Sequence, residues 1–393
     1  MKSPTSNLSR NRAGRKNPEP FPNARPRILM ITVRADHGGG PEHIRQLVGQ
    51  LADEFEISIA SPKEHPYWDR YAALLGGDSL VEVPHRSFSL RCLLRLGRFV
   101  REKRIHLIHS HGKGAGIYGR LLGVFTGRIC VHTFHGVHIG AYGAVKKRLY
   151  IALERLLARF TARIIAVSKG EFDRIVALGI SSPGKIAVIE NGVTPRNRGR
   201  YDVFSRSKLD VLTVSRFDYA KNTSLLIPIM EALRDAHQLD RFRFHIVGDG
   251  EGRREVEAGL QSAGLSEHTV FHGTLDDMDP VYSTAFCYLS TSRWEGMPLT
   301  VLESMSYGIP VIATDVVGNR DVVEDGVNGL LFDIDRPESA ARMIEFLSKE
   351  RALWRRMSRA GAKIAAVRFS SRRMGEETSR LYRELLGVRR EIL

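Results

Sequence analysis

The chain has 393 residues, of which 42% are hydrophobic and 26% charged, so it is globular and longer than one hydrophobic core usually supports. No uncharged apolar run reaches about 18 residues, which predicts that no helix spans a membrane, and three scattered cysteines (Cys92, Cys130 and Cys287) favour a reducing, cytoplasmic compartment over a disulfide framework. The formal net charge of +15 requires an anionic partner or substrate, such as nucleic acid, an anionic membrane face or a phosphorylated compound.

Three segments contain much of the excess positive charge. Residues 1–26 lack the apolar segment of a secretory signal and predict a disordered basic tail. Residues 91–104 predict a helix that packs on a sheet, and a contact of this helix with a membrane is a compatible alternative. The third segment is "KKR" at 146–148. The cations of the tail are Arg10, Arg12, Arg15 and Lys16, and the helix has Arg91, Arg95 and Arg98 opposite Leu93, Leu96 and Val100.

From residue 27 onward, short apolar runs alternate with helical patterns. The runs "RILMITV", "FEISIAS", "HLIHSH", "ICVHTFH" and "RIIAVS" predict buried parallel strands, with helices between them such as 43–54 and 145–160. After a polar linker at 194–210, the alternation restarts with "VLTVSR", "RFHIVGDG", "VFHG", "FCYLSTS", "PVIATD" and "GLLF". This alternation predicts an α/β protein with two doubly wound, Rossmann-like parallel-sheet domains.

In such sheets ligands bind at the carboxyl ends of the strands, where helix N-termini converge. Arg216 and Lys221 stand just after the strand "VLTV" and before a helix start, which suits a diphosphate, although surface charges are the simpler alternative. Gly248 and Gly250 in "VGDGEG" indicate a tight turn, which ordinary turn chemistry explains equally well.

The segment "EGMPLTVLE" places two glutamates around a predicted helix start. Gly296 and Pro298 mark a turn and the first turn of a helix at 298–307, whose free N–H groups favour an anion. Glu295 precedes this start and Glu303 lies inside the helix, so each can reach hydroxyl groups on one side of the anion. The pattern predicts a site for a nucleotide diphosphate sugar.

The same motifs resemble the retaining GT-B glycosyltransferases of family 4. "EGMPLTVLE" resembles the Glu-x7-Glu motif of that family, and "SRFDYAKN", "ENGV" and "GIPVIATDVVGNRDVVEDGVNGLLF" resemble its C-terminal half. "HSHGKGAGIYGRL" and "HTFHG" are similar to its bacterial polysaccharide-assembly members. The resemblance extends over most of residues 27–375. It implies an acceptor-binding N-terminal domain at 27–200, a nucleotide-sugar-binding C-terminal domain at 201–370, and a last helix in 371–393 that packs back toward the N-terminal domain.

The resemblance also implies roles for individual residues. Glu295 contacts the transferred sugar, Glu303 binds the ribose hydroxyls, and His135 lies beside the reacting carbon. The other matching residues bind the donor: Arg216 and Lys221 through the diphosphate, the amides of Met297, Leu299 and Thr300 through sugar and phosphate, and Gly39 and Gly40 in the N-terminal loop.

The reaction that the resemblance implies needs no metal or cofactor. A UDP-sugar or GDP-sugar gives up its sugar with retention of configuration, while the two cations and the helix N-terminus absorb the charge of the leaving group. The expected acceptor is a saccharide, lipid-linked if the basic surface meets an anionic inner membrane leaflet. We expect no nucleic-acid partner, since the basic tail lacks interleaved aromatic residues.

Several residues allow a second interpretation. "DDMD" at 276–279 resembles a metal site, but acids at a helix start before Pro280 explain it better. His135 on physical grounds can also be a structural hydrogen-bond donor, and Trp294 favours loop packing over a sugar platform. The histidines considered as metal ligands show no closed zinc pattern in their spacing: His109, His111, His132, His135 and His138.

Three functions remain open at the level of the whole chain. A glycosyltransferase is favoured. A nucleotide-sugar epimerase or a phosphorylase of the same architecture would need further acid/base residues or a cofactor lysine, and none is identified. A non-catalytic polyanion-binding protein would need neither the Glu295–Glu303 frame nor the Arg216–Lys221 pair.

Overall fold

A computed structural model describes residues 25–137, 139–140, 142–196 and 202–388. Most of the predicted tail, the predicted domain boundary at 200 and 201, and the last five residues lie outside the described residues. Among the described residues, no helix is both long and apolar enough to cross a lipid bilayer.

The N-terminal half is a parallel sheet of seven strands with the order β3-β2-β1-β4-β5-β6-β7. Its chain order is β1 (Arg27–Ile31), α1 (Gly39–Leu51), β2 (Glu56–Ser61), α2 (Tyr67–Leu75), β3 (Leu80–Glu82), α3 (Leu90–Glu102), β4 (Leu107–His111), α4 (Lys113–Thr126), β5 (Ile129–Thr133), α5 (Ala144–Arg159), β6 (Arg163–Ala166), α6 (Lys169–Ala177) and β7 (Ile186–Val188).

The C-terminal half is a second parallel sheet, of six strands, with the order β10-β9-β8-β11-β12-β13. Its chain order is β8 (Leu209–Val214), α7 (Leu226–Asp235), β9 (Phe242–Val247), α8 (Arg253–Ser262), β10 (Thr269–Gly273), α9 (Asp279–Thr284), β11 (Cys287–Ser290), α10 (Leu299–Ser306), β12 (Val311–Thr314), β13 (Gly329–Phe332), α11 (Pro337–Lys349), α12 (Arg351–Val367) and α13 (Ser371–Leu386). The fold is therefore GT-B, with the two predicted doubly wound α/β sheets.

Burial on both faces explains why the strands are nearly continuous in apolar residues. In β1 every residue after Arg27 is buried, and β4, β11 and β12 are buried throughout. The register follows the apolar runs, with Ile28 of β1 beside Ile57 of β2 and Leu107 of β4. The short strands β3 and β7 were not predicted, because three residues each carry too little periodicity.

Helices α1 and α3 can be compared directly with their sequence predictions. The sequence predicts a helix from residue 43, but α1 begins at Gly39, since Pro41 lies in its first turn, where no N–H is needed. Helix α3 is amphipathic as predicted, with Leu93, Leu96 and Val100 buried and its arginines exposed.

The polypeptide crosses between the two halves twice, and the two crossings touch. The N–H of Val193 donates to the carbonyl of Phe369 at 2.8 Å, and the N–H of Ser371 donates to the carbonyl of Val193 at 2.9 Å. After the second crossing, α13 returns to the N-terminal half, where the Tyr382 ring packs on Phe55 and the Ser379 hydroxyl donates to Glu54 at 2.7 Å.

Candidate active site

A cleft of about 630 Å³ lies between the carboxyl ends of the two sheets. Elements from both halves form its walls: the first turns of α1 on one side, and the loop after β8 with the start of α10 on the other. The polar or backbone groups on these walls belong to Gly39, Glu42, Arg45, Arg216, Lys221, Thr300 and Glu303.

The N-terminus of α10 faces this cleft with its backbone amides. Pro298 occupies the N-cap position with extended backbone angles, and no side chain caps the helix. The N–H groups of Leu299 and Thr300 therefore belong to the first turn, where no intrahelical partner exists. Both residues line the cleft. Met297 does not line it, because its carbonyl accepts a hydrogen bond from Asn191 at 2.9 Å and its side chain is buried.

Glu295 is held at the turn before α10 by two donors. Lys221 Nζ and Ser292 Oγ each lie 2.6 Å from Glu295 Oε1. The side chains of Lys221 and Glu295 are 19% and 11% exposed, so this is a largely desolvated ion pair. Lys221 lines the cleft, and the pair thus joins two residues that the sequence assigned to sugar and diphosphate.

Glu303 lies one turn inside α10, where its half-buried side chain forms part of the cleft wall. Its Oε2 accepts a hydrogen bond from the Tyr282 hydroxyl at 2.8 Å. Burial, and then the negative charge of Glu42, raises the pKa of Glu303 from 4.5 to about 7. A ligand that donates hydrogen bonds to this carboxylate would replace the water that burial removed.

Glu42 and Arg45 form the opposite wall and were missed by the sequence analysis. Arg45 donates two hydrogen bonds to Glu42, at 2.7 and 2.8 Å, and the Tyr67 hydroxyl donates a third at 3.0 Å. The spacing "EHIR" places both on one face of α1. That signal alone does not show that this face lies opposite Glu303.

Arg216 follows β8 and lies at the cationic end of the cleft. Its guanidinium is 3.0 Å from Asp218, and burial together with the positive charge of Arg34 lowers its pKa. Arg34 and Arg86 come from the N-terminal half. Asp36 lies 2.7 Å from Arg34 and 3.9 Å from Arg86, so an anion bound at this end would add to a partly neutralised cluster of guanidinium groups.

His135 lies beside the turn of Glu295, in a cluster of three imidazoles. Its backbone is left-handed (φ 56°), and its ring Nε2 is 3.2 Å from Nδ1 of His111. The ring of His43 is 4.6 Å from that of His135, centroid to centroid. Burial lowers the pKa of all three, to about 4 for His43, so the cluster is neutral near pH 7.

This cluster is also the place where a metal ion could be held. Within the described residues, His43, His111 and His135 form the one group whose ligand atoms all lie within 4.8 Å of one another. Three nitrogen ligands are one short of a closed structural zinc site. His43 joins from α1, far away in sequence, so the spacing could not predict the trio. His138 lies outside the described residues.

One surface contact closes the cleft on its outer side. Asp276 receives hydrogen bonds from Arg70 at 3.2 Å and lies 3.2 and 3.3 Å from the rings of His37 and His65. The acidic residues of "DDMD" therefore have different roles. Asp279 begins α9 before Pro280, as expected, whereas Asp276 bridges the two halves.

The structure brings most of the predicted site residues together. Six line the cleft: Gly39, Arg216, Lys221, Leu299, Thr300 and Glu303. Glu295, Met297 and His135 lie directly behind this wall, and the backbone of His135 and Gly136 packs against Gly296. Gly40 lies in the first turn of α1. Trp294 packs against Gly140 and the ring of Tyr219, as loop packing predicts.

Two family profiles match the chain, one for each half. Residues 202–364 match "Glycosyl transferases group 1", and residues 38–192 match "Glycosyl transferase 4-like domain". Together they span most of the chain.

The chain is similar to curated bacterial enzymes over most of its length. It is 25% identical, over 77% of this chain and 82% of the relative, to the UDP-Gal:alpha-D-GlcNAc-diphosphoundecaprenol alpha-1,3-galactosyltransferase of Escherichia coli. It is 24% identical, over 78% of this chain and 86% of the relative, to the O-antigen biosynthesis glycosyltransferase WbnH of Escherichia coli.

Among solved structures, the fold is shared with HepE of Anabaena in complex with UDP and glucose. The TM-score is 0.80 at 17% identity, with 92% of this chain and 100% of that chain covered.

Proposed function

Since the chain belongs to the group 1 glycosyltransferases, with a GT-B fold of the family 4 type, we propose that it transfers a sugar, with retention of configuration, from a UDP-sugar or GDP-sugar to a lipid-linked saccharide in cell-surface polysaccharide synthesis. The observation that carries this proposal is the free N-terminus of α10, set between the Lys221–Glu295 pair and half-buried Glu303.

The ribose, the diphosphate and the sugar of a nucleotide sugar would each have a matching group in or beside the cleft. Glu303 would accept hydrogen bonds from the ribose hydroxyls. The amides at the start of α10, with Arg216 and Lys221, would hold the diphosphate. Glu295 lies beyond the diphosphate, where the sugar would be. This arrangement favours a nucleoside diphosphate sugar over a simple phosphate, which would bring Glu303 no hydrogen-bond donor beyond the Tyr282 hydroxyl.

The transfer would proceed by substitution at the anomeric carbon. The bond from this carbon to the diphosphate breaks, the acceptor hydroxyl attacks from the same face, and its proton passes to the departing phosphate oxygen. The sugar gains oxocarbenium character meanwhile. Arg216, Lys221 and the dipole of α10 would stabilise the nucleoside diphosphate that leaves. Glu295 acts as a positioning residue, and neutral His135 lies beside the acceptor face.

We propose that no metal takes part, because two cations and a helix N-terminus already face the diphosphate position. The His43–His111–His135 cluster then serves as a packed, neutral wall.

The E. coli galactosyltransferase carries a diphosphoundecaprenol acceptor in its name, and HepE was solved with UDP and glucose. These names support a lipid-linked acceptor and a uridine donor. With the net charge of +15 and the scattered cysteines, they support a protein at the inner, anionic face of the cell membrane.

The experiment is a thermal-unfolding series without added metal, with UDP, GDP, ADP and inorganic phosphate. Wild type should be stabilised by UDP or GDP, by about 2.7 kcal/mol at a hundred times the dissociation constant. Glu303→Gln should lose this effect, whereas Glu267→Gln, which changes an exposed glutamate of the same half, should keep it. If no nucleotide stabilises wild type, the proposal is wrong. Product anomers from a transfer assay, read by NMR, test retention.

A further inference from the structure

Helix α5 carries an apolar stripe on its solvent side, which is the reverse of an ordinary surface helix. Five large side chains follow one another at intervals of four, four, three and four residues, and this spacing places them on one face of the helix. Their exposed fractions run from 41% to 72%. They are Val145, Leu149, Leu153, Leu156 and Phe160.

The opposite face of α5 packs on the protein and contains its only acid. Glu154 is 2% exposed and pairs with fully buried Arg120 of α4 at 2.7 Å. Leu157 and Ala158 are also buried. These inward-facing residues anchor α5 to the rest of the domain, so the outer stripe is not needed to hold the helix in place.

Only cations accompany the exposed stripe. The exposed charged residues of α5 are Lys146, Lys147, Arg148, Arg155 and Arg159. A helix with an outward apolar face between basic side chains has the composition of one that lies in the interface of an anionic bilayer. Two copies of this face would place like charges against each other, which disfavours a dimer through α5.

The position of α5 links this surface to the cleft. Only eight residues, 136–143, separate His135 from Ala144, the first residue of α5. In the same loop Gly140 packs against Trp294, next to Glu295. The N-terminal end of α5 is thus close to the cleft rather than on the far side of the domain.

We propose that α5 is a membrane-docking helix: its stripe from Val145 to Phe160 inserts into the interface of an anionic bilayer and holds the cleft at the membrane surface. The inference rests on the proposed function, because a lipid-linked acceptor would reach the cleft from this membrane surface. It differs from the sequence expectation, which considered α3 as the membrane contact.

The test is co-sedimentation of the full chain with vesicles of phosphatidylcholine alone or with phosphatidylglycerol added. Wild type should bind the anionic vesicles and not the neutral ones. The double variant L149S/L156S removes apolar area without adding charge, and we expect binding to weaken roughly tenfold or more. The control F346S/V367S removes exposed apolar area from the C-terminal half and should bind like wild type.

The charge contribution is measured separately with K147Q/R148Q, which should weaken binding and flatten its dependence on salt. The proposal would be overturned if L149S/L156S bound anionic vesicles as well as wild type does, or if wild type bound neutral and anionic vesicles equally. A wild-type dimer that dissociates in L149S/L156S would also overturn it. The UDP-induced thermal shift is followed in every variant. A variant that keeps the UDP-induced thermal shift but does not bind vesicles has lost only docking. If wild type binds vesicles but shows no shift with any nucleotide, the proposed function is refuted and the docking proposal stands.

Discussion

Replacing the half-buried acid Glu303 should make the ligand-free protein more stable while removing nucleotide binding. A carboxyl group whose pKa rises from 4.5 to about 7 on folding binds its proton more tightly in the folded state. Its destabilising effect is absent below pH 4.5, grows between pH 4.5 and 7, and is constant above pH 7. At 1.36 kcal/mol per pH unit, the full effect is about 3 kcal/mol.

Glu303→Gln keeps an acceptor for the Tyr282 hydroxyl and has no charge to desolvate. We expect its free energy of unfolding to exceed that of wild type by about 3 kcal/mol at pH 8, and by about 1 kcal/mol at pH 5.5. Urea unfolding at the two pH values, followed by tryptophan fluorescence, measures the difference, because Trp294 and Trp354 lie in the same half. Glu267→Gln is the control. Parallel changes in wild type and Glu303→Gln with pH would refute this account of the buried carboxyl.

Three further predictions concern the site and its closure. Glu295→Gln removes the charge that pairs with Lys221, so the rate of sugar transfer should fall by tenfold or more, which corresponds to an activation free energy higher by on the order of 1.4 kcal/mol. The UDP-induced thermal shift should persist in this variant. Loss of the shift would instead place Glu295 in donor binding. Dialysis against EDTA should change neither the shift nor the transfer rate, and a loss that Zn²⁺ or Mn²⁺ restores would assign a metal, with His43→Gln locating it. Asp276→Asn should expand the ligand-free protein in small-angle scattering. In wild type a smaller expansion should appear as pH rises through the pKa of His65, which Asp276 raises, because the charged His65–Asp276 contact is present below that pKa and lost above it, while the Arg70–Asp276 contact remains. An unchanged radius in both experiments would show that the contact does not hold the cleft closed.

The sequence predicted those parts of the site that follow the strands of the C-terminal half. Arg216, Lys221 and the Glu295–Glu303 frame all follow strands, and the carboxyl ends of parallel strands form one edge by topology alone. Apolar runs also predicted the strands, because both faces of each sheet are buried. The fold was predictable for these reasons, and the family from the resemblance of motifs such as "EGMPLTVLE".

Contacts between the two halves were not predictable in the same way. Glu42 opposite Glu303, His43 beside His135, and Asp276 against Arg70 each join segments that local patterns do not connect. The outward stripe of α5 illustrates a related limit. Helical periodicity shows that apolar residues share a face, but only the packing of Glu154 and Leu157 shows that this face points to solvent.

The paired crossings at Val193 and Ser370 determine how the cleft can open. Two chain segments that are hydrogen-bonded side by side act as one hinge. The two halves can rotate about this hinge and so open the cleft. Sliding of one half along the other, or twisting about the long axis of the molecule, would break the bonds between Val193 and its two partners. When the cleft opens, the distance between two residues on opposite halves should therefore change in proportion to their distance from this hinge. The change should be smallest at Asn191, which is hydrogen-bonded to Met297 of the other half in the ligand-free protein, and largest at the outer edge of the cleft.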